Sequence, residues 1–140
     1  MTDKPDIRLL MDGANVFVPG GSDQIAVCID ARVWNLGEPV AAIDWGLTVI
    51  ADGVRTKGTI RGINNPIKVE KGPVIQPSES MTDKTYLIPI GKVPVKGRLL
   101  FLVPLPKPVI IEAETVWELS VKDIYGTLTT ATQRMGDWPR

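Results

Sequence analysis

The stretch from Gln24 to Gly53 reads QIAVCIDARVWNLGEPVAAIDWGLTVIADG, and it decides the fold. In both halves apolar residues recur at every second position, which is the pattern of strands with one buried face. The residues that share such a face are Ile25, Val27, Ile29, Ala31 and Val33 in the first half and Ile43, Trp45, Leu47 and Val49 in the second. The residues from Asn35 to Pro39 turn the chain between the halves. We therefore expect two long strands around which the rest of the chain packs.

The rest of the chain contains many residues that favour turns. Thirteen glycines and twelve prolines fall between short apolar runs, as in folds built from many short strands. Pro19-Gly20-Gly21 indicates one turn, and Asp52-Gly53 indicates a two-residue hairpin turn with positive φ. A polar edge strand should follow from Val54 to about Ile60. Residues 62–84 are the least regular part.

The second half of the chain predicts further strands. We expect strands at Tyr86–Ile90 and at Leu99–Val103, the latter buried, with a linker over Gly91–Gly97. Pro104–Pro108 excludes a central strand or a helix. From Ala113 to Val121 the residues alternate, a loop follows at Asp123–Gly126, and a strand returns over Thr127–Gln133.

The fold class follows from these segments. No stretch has the spacing and caps of a helix longer than a turn. The sequence predicts an all-β, antiparallel two-sheet sandwich of about seven to nine strands. Residues 1–140 form a single domain, with loose tails at 1–6 and 135–140.

Three short motifs carry a resemblance to a known superfamily. Pro5-Asp6-Ile7, Asn35-Leu36-Gly37 and the closing VKDIYGTLTTAT resemble immunoglobulin-like sandwich modules of bacterial and archaeal surface proteins. The resemblance implies that fold, which hosts many unrelated functions. Antibody-type domains pair two cysteines over a core tryptophan. Here Cys28 is the only cysteine, and strand parity places it on the face opposite Val27.

Charge and hydropathy limit the partners. Sixteen basic and sixteen acidic residues cancel, and no basic stripe occurs, so we expect no nucleic-acid partner. No apolar run is long enough to insert into a membrane, and the N-terminus lacks the pattern of a signal peptide. We expect a cytoplasmic protein, or a soluble envelope domain whose signal or anchor lies outside this chain.

The chain contains no histidine. Catalytic triads, histidine metal sites and imidazole acid–base chemistry are therefore excluded. Cys28 lies within a strand and has no histidine to activate it, so we expect a small packed residue rather than a nucleophile. No glycine-rich phosphate loop is present, and we expect no cofactor.

Acidic residues leave one alternative open. Glu112, Glu114 and Glu118 would share a strand face, with Asp123 at the following loop, and such a set can bind calcium. An exposed acidic strand face that discourages edge pairing is the favoured interpretation.

Trp34 is the residue that most suggests a contact surface. It shares the polar face of its strand with Asp30 and Arg32, and exposed tryptophan with arginine is typical of interfaces. Cover by the 62–84 segment is the favoured alternative, because large aromatic residues are usually mostly buried. Trp45 and Trp117 alternate with aliphatic residues and should belong to the core. Trp138 can fold back onto the body of the domain.

Three functions follow in order of preference. The first is a non-catalytic protein-interaction or adhesion-type module that acts through Asp30, Arg32 and Trp34. The second is a self-associating structural or assembly subunit of an envelope or virion complex. The third is a calcium-binding or carboxylate-dependent enzyme domain.

Overall fold

The computed structural model describes residues 4–19, 24–69, 72–86 and 88–138, without the side chain of Ile43. Strands account for 55% and helices for 12%, so the expected mostly-β class with antiparallel sheets is confirmed. The described strands are β1 (Ile7–Phe17), β2 (Ile25–Asn35), β3 (Ala42–Ala51), β4 (Val54–Lys57), β5 (Thr59–Arg61), β6 (Ile67–Lys68), β7 (Val74–Ile75), β8 (Val95–Val103), β9 (Val116–Asp123) and β10 (Leu128–Arg134). The helices are α1 (Met81–Thr85) and α2 (Lys107–Ile110), with 3₁₀ turns at Pro77–Glu79 and Met135–Asp137.

Eight of these strands form two four-stranded antiparallel sheets. Sheet 1 has the order β1-β2-β8-β5, and sheet 2 has the order β10-β9-β3-β4. Strands β6 and β7 form a separate hairpin. Buried side chains from both large sheets belong to one apolar core, so the sheets pack against each other through their inner faces.

The two strands of the deciding stretch lie in different sheets. β2 pairs with β1 and β8, whereas β3 pairs with β4 and β9. At the described positions their predicted inner faces are confirmed, because residues such as Val27, Ile29 and Leu47 are buried in the shared core. The side chain of Ile43, which was expected on the same face, lies outside the described residues. The turn after Asn35 therefore carries the chain from one sheet to the other. The alternation located both strands but did not show to which sheet each belongs.

The Asp52-Gly53 turn is confirmed. Asp52 has a φ of 50° and Gly53 a φ of 77°, and the turn joins β3 to β4. The single strand expected from Val54 to Ile60 is instead divided at Gly58, where the chain leaves sheet 2 and enters sheet 1 as β5. A Cβ atom at Gly58 would lie 3.3 Å from the carbonyl oxygen of Leu102, so glycine permits this close passage. Both strands lie at sheet edges, as expected.

The irregular segment after β5 covers the outer face of sheet 1. It contributes to a second apolar cluster made of Ala26, Cys28, Ile63, Val69, Ile75 and Leu100. Farther along, Ser80 forms a bridge to Arg98 on the part of β8 that β5 does not pair with. α1 then places Met81 in the main core, against Gly97 of β8.

The strand expected at Tyr86–Ile90 is wrong. The backbone N–H groups of Lys84 and Tyr86 donate to the carbonyl oxygens of Ser80 and Thr82, respectively. The N–H of Tyr86 is therefore engaged by α1 and is not part of a strand ladder. Tyr86 and Ile90 form only isolated bridges, to Ala42 and Val40. Leu87 lies outside the described residues.

Strand β8 confirms the buried strand expected at Leu99–Val103, but it begins earlier, at Val95, inside the expected linker. The exclusion of a helix from Pro104–Pro108 is wrong, because α2 begins at Lys107. Pro108 lies in the first turn of α2, where a missing N–H breaks no helical hydrogen bond.

The last hairpin has the predicted loop, and Gly126 has a φ of 84°. β9 begins at Val116 rather than at Ala113, because a turn closed by the hydrogen bond from Thr115 N–H to Glu112 O precedes it. The inward positions Trp117, Leu119 and Val121 are fully buried, as expected.

Parts of both expected tails are attached to the domain. The N–H of Leu36 donates to Asp6 O at 2.9 Å, and that of Met135 donates to Thr115 O at 2.8 Å. Trp138 folds back, as expected, and meets Trp117 edge-on with ring centroids 4.7 Å apart. Residues 1–3, 139–140 and Gly20-Gly21 of the expected turn lie outside the described residues.

Candidate interaction surfaces

Asp30, Arg32 and Trp34 lie on the outer face of sheet 1, and each is half-buried. Asp30 and Arg32 line a charged cleft of about 500 Å³ together with Lys96 and Arg98. Trp34 is not among the residues that line this cleft. Trp34 is the second-last residue of β2, and it pairs with Arg8 of the neighbouring strand β1. The structure therefore brings two of the three predicted residues into one cleft and places the third at the end of the strand.

Ion pairs line the charged cleft. Arg98 Nε lies 2.7 Å from Glu79 Oε2 and 3.1 Å from Asp30 Oδ1, and Arg32 binds Asp12 at 2.7 Å. Burial raises the pKa of Asp30, and the Arg98 guanidinium opposes that effect. Because the Arg98 side chain is only 18% exposed and holds Glu79, the network fastens the 3₁₀ turn before α1 to sheet 1. This is a structural role for part of the predicted surface.

Cys28 lies in the first half of β2, whereas Trp34 lies near its end. Cys28 is completely buried, on the face opposite Val27, as strand parity predicted. Burial raises the pKa of the thiol to about 12, although the nearby Arg98 lowers it. A thiol that keeps its proton at neutral pH is a poor nucleophile, so the geometry agrees with a packed residue.

The acidic residues do not form the expected strand face. Glu112 and Glu114 precede β9, and Glu118 in β9 pairs with Arg55 at 2.7 Å. Asp123 is buried and serves the hairpin loop. Within the described residues, no group of three acidic, cysteine or histidine side chains is placed to hold a metal ion.

A different surface lies on the loops at one end of the two sheets. β2 and β9 end there, and β3, β8 and β10 begin there. We call the exposed apolar side chains of these loops the loop-end patch: Leu36, Tyr86, Ile88, Val93, Ile124 and Tyr125. They are six of the twelve large apolar side chains that are exposed in the described part of the chain. They include both tyrosines of the sequence.

Asn35 joins two of the loops that carry the patch. Its side chain is completely buried, and its Nδ2 donates to Ile90 O at 3.1 Å. Its own N–H donates to Gly91 O at 2.8 Å, and its Oδ1 accepts from Gly37 N–H at 2.9 Å. The Ile90 N–H donates to Val40 O at 2.8 Å. The loops that carry Leu36, Ile88 and Val93 are therefore held together by hydrogen bonds.

Asp123 fixes the third loop. Its Oδ1 accepts hydrogen bonds from the N–H groups of Tyr125 at 2.8 Å and Thr127 at 3.0 Å. The Ile124 N–H donates to Ala41 O at 3.2 Å, which ties this loop to the start of β3. Tyr125 is 74% exposed although its backbone is fixed. The sequence contained the signal for this role, because an aspartate at the start of a turn commonly binds the N–H groups that follow it.

The sequence-based prediction of the site missed the loop-end patch. Its members come from three separated segments, each of which alone resembles an ordinary turn. Single exposed apolar residues are normal on protein surfaces, and only their concentration is informative.

No protein-family model matches this chain, and no curated protein matches it. Among the described residues, no helix combines the length and hydropathy that crossing a membrane requires. Function is therefore inferred from the geometry of the chain itself.

Proposed function

We propose that this chain is a non-catalytic protein-interaction module built on an immunoglobulin-like sandwich. The strand order supports the fold. In immunoglobulin domains the sheets have the orders A-B-E-D and G-F-C, and some types add C′ beside C. With β6 and β7 treated as an insertion, sheet 1 has the order A-B-E-D and sheet 2 the order G-F-C-C′.

The core supports the same assignment with one departure. Trp45 lies on the third strand and is buried, as the core tryptophan of immunoglobulin domains is. No disulfide links the sheets, because Cys28 is the only cysteine and faces outward under the β6–β7 segment. Apolar packing between positions such as Ile29 and Leu119 takes its place.

The chemistry of the side chains supports a non-catalytic role. The sequence has no histidine, and the one thiol is buried with a raised pKa. Glu118 and Asp30 face arginines, and Asp123 is used by its own loop. These side chains stabilise the fold through ion pairs and hydrogen bonds, which supports a role without catalysis.

The loop-end patch is the observation that carries the proposal. Immunoglobulin variable domains bind through loops at one end of the sandwich, including the B–C and F–G loops. Leu36 lies in the equivalent of the first of these loops, and Ile124 and Tyr125 lie in the second. Exposed tyrosines on a rigid support contribute large contact area at a low cost in entropy. The exposed charges beside the patch, such as Glu38 and Lys92, are of both signs, so these loops carry no basic stripe of the kind that binds nucleic acid.

Affinity capture from the native source tests this role. Val93 and Val54 are 80% and 62% exposed and lie at opposite ends of the sheets, so Val54→Glu is a matched control for Val93→Glu. Wild type and Val54→Glu should capture the same stoichiometric partner. Val93→Glu should lose at least about 2 kcal/mol of binding free energy, roughly 30-fold in affinity.

Two results would contradict the proposal. One is a partner that binds both variants equally well, because the contact would then lie elsewhere, for example at Asp30 and Arg32. The other is a catalytic turnover by the purified protein that a single side-chain substitution abolishes. Either compartment expected from the sequence, the cytoplasm or the cell envelope, is compatible with this role.

A further inference from the structure

We infer that the loop-end patch binds a second copy of this chain and forms a symmetric dimer. The inference rests on the proposed interaction role and names one partner for it. A two-fold symmetric contact places the same patch on both sides, and such dimers are the commonest oligomers. The members of the patch are the six apolar side chains already defined, on the loops after β2, before β8 and after β9.

The size of the patch is sufficient for a weak dimer. Aromatic side chains have about 150–250 Å² of surface, so Tyr86 and Tyr125, at 63% and 74% exposed, present on the order of 250 Å² together. The four aliphatic members add an area of the same order. A symmetric contact that covers all six side chains on both copies therefore buries on the order of 1,000 Å², which is the lower range of specific interfaces. Contacts of this size are usually weak, so association is expected in the micromolar range.

The charges around the loop-end patch are compatible with a contact between the same patch on two copies. Exposed charged residues of both signs lie on or beside the loops of the patch, among them Glu38, Asp83, Lys92 and Lys122. Charges of both signs at the rim let two copies pair unlike charges across the symmetry axis. The whole chain has no net charge, so copies do not repel each other at long range. An interface with an uncharged centre and a polar rim has the usual composition of specific contacts.

The rigidity of the patch lowers the cost of association. Asn35 and Asp123 hold the loops through hydrogen bonds to backbone groups, so little loop entropy is lost on binding. Other exposed apolar residues lie outside these loops, for example Val18 just after β1 and Val74 in β7. The loop-end patch is therefore the best surface for a contact between two copies.

Sedimentation equilibrium of the whole chain tests the dimer. From low to high micromolar concentration, the weight-average mass of the wild type should rise from that of one chain towards that of two. Val54→Glu should behave in the same way. Val93→Glu should stay at the mass of one chain over the same range, a loss of at least tenfold in association, because each copy would bring a carboxylate into the apolar contact. Tyr125→Ser is a second variant of the patch, and a melting curve shows that each variant is folded.

The outcomes separate this inference from the proposed function. A wild type that stays monomeric, or a Val93→Glu variant that associates as the wild type does, overturns the dimer. If Val93→Glu also abolishes capture of a different protein by a monomeric wild type, the interaction role stands without the dimer. A dimer that forms through the patch while no other polypeptide is captured contradicts binding to a different protein. It would favour the self-associating structural subunit.

Discussion

Asp123 is buried at the end of β9, and its Oδ1 accepts hydrogen bonds from the N–H groups of Tyr125 and Thr127. Asp123→Ala should lower the free energy of unfolding by about 1–3 kcal/mol, because two N–H groups lose their acceptor. Asp123→Asn keeps an oxygen at the same position and should retain most of the stability. Urea unfolding of the three proteins checks this prediction. Equal stability of Asp123→Ala and wild type would show that the side chain does not fix the loop.

Cys28 predicts a dependence of stability on pH. Burial raises the pKa of its thiol from 9.0 to about 12, so the folded protein holds the thiol proton more tightly than the unfolded chain does. The stability that the protonated thiol contributes is therefore complete below pH 9.0 and is lost as the pH rises towards about 12. Over this range the unfolding free energy of the wild type should fall more steeply than that of Cys28→Ala. Parallel pH curves for the two proteins would contradict the burial of this thiol.

At the scale of elements, Gly97 controls how α1 docks on β8. A Cβ atom at this position would lie 2.9 Å from Met81 Cα and 3.1 Å from Glu79 O, and backbone atoms cannot move aside easily. Gly97→Ala should therefore cost about 1–3 kcal/mol of unfolding free energy. Gly91 is the matched control, because no atom lies within 4 Å of a Cβ built there, and Gly91→Ala should change stability by less than about 0.5 kcal/mol. Equal losses in thermal or urea unfolding would show that α1 does not pack as described.

The strands that the sequence predicted well have strict alternation. The inner faces of β2, β3 and β9 follow directly from residues such as Ile29, Leu47 and Leu119, because burial of one face imposes a period of two. The Asp52-Gly53 and Asp123–Gly126 turns were predictable from local backbone preferences. The strand predicted at Tyr86–Ile90 was wrong, because the N–H of Tyr86 closes the last turn of α1 and the segment forms only isolated bridges. The division at Gly58 was also missed, because both halves carry the same polar pattern.

At the scale of the molecule, sequence patterns predicted two sheets but not the arrangement of loops. Leu36, Val93 and Tyr125 lie far apart in the chain and come together only through the order of the strands. Trp34, a candidate contact residue for which the sequence favoured cover over contact, lies beside this end of the fold at the close of β2. Asp30 and Arg32 lie farther along the sheet, in the charged cleft. The proposed loop-end patch contains none of the three residues that the sequence suggested, because its members come together only through the topology.

Site-specific photo-crosslinking in the native source shows whether the loop-end patch is the contact surface. A photoreactive amino acid is placed at position 93 in the loop-end patch and, in a second protein, at position 54 at the opposite end of the sheets. Position 93 should give a covalent adduct with another polypeptide, either a different protein or a second copy, and position 54 should give none. Adducts from position 54 alone, or from neither position while a photoreactive residue at position 32 gives one, would contradict the loop-end patch as the contact surface.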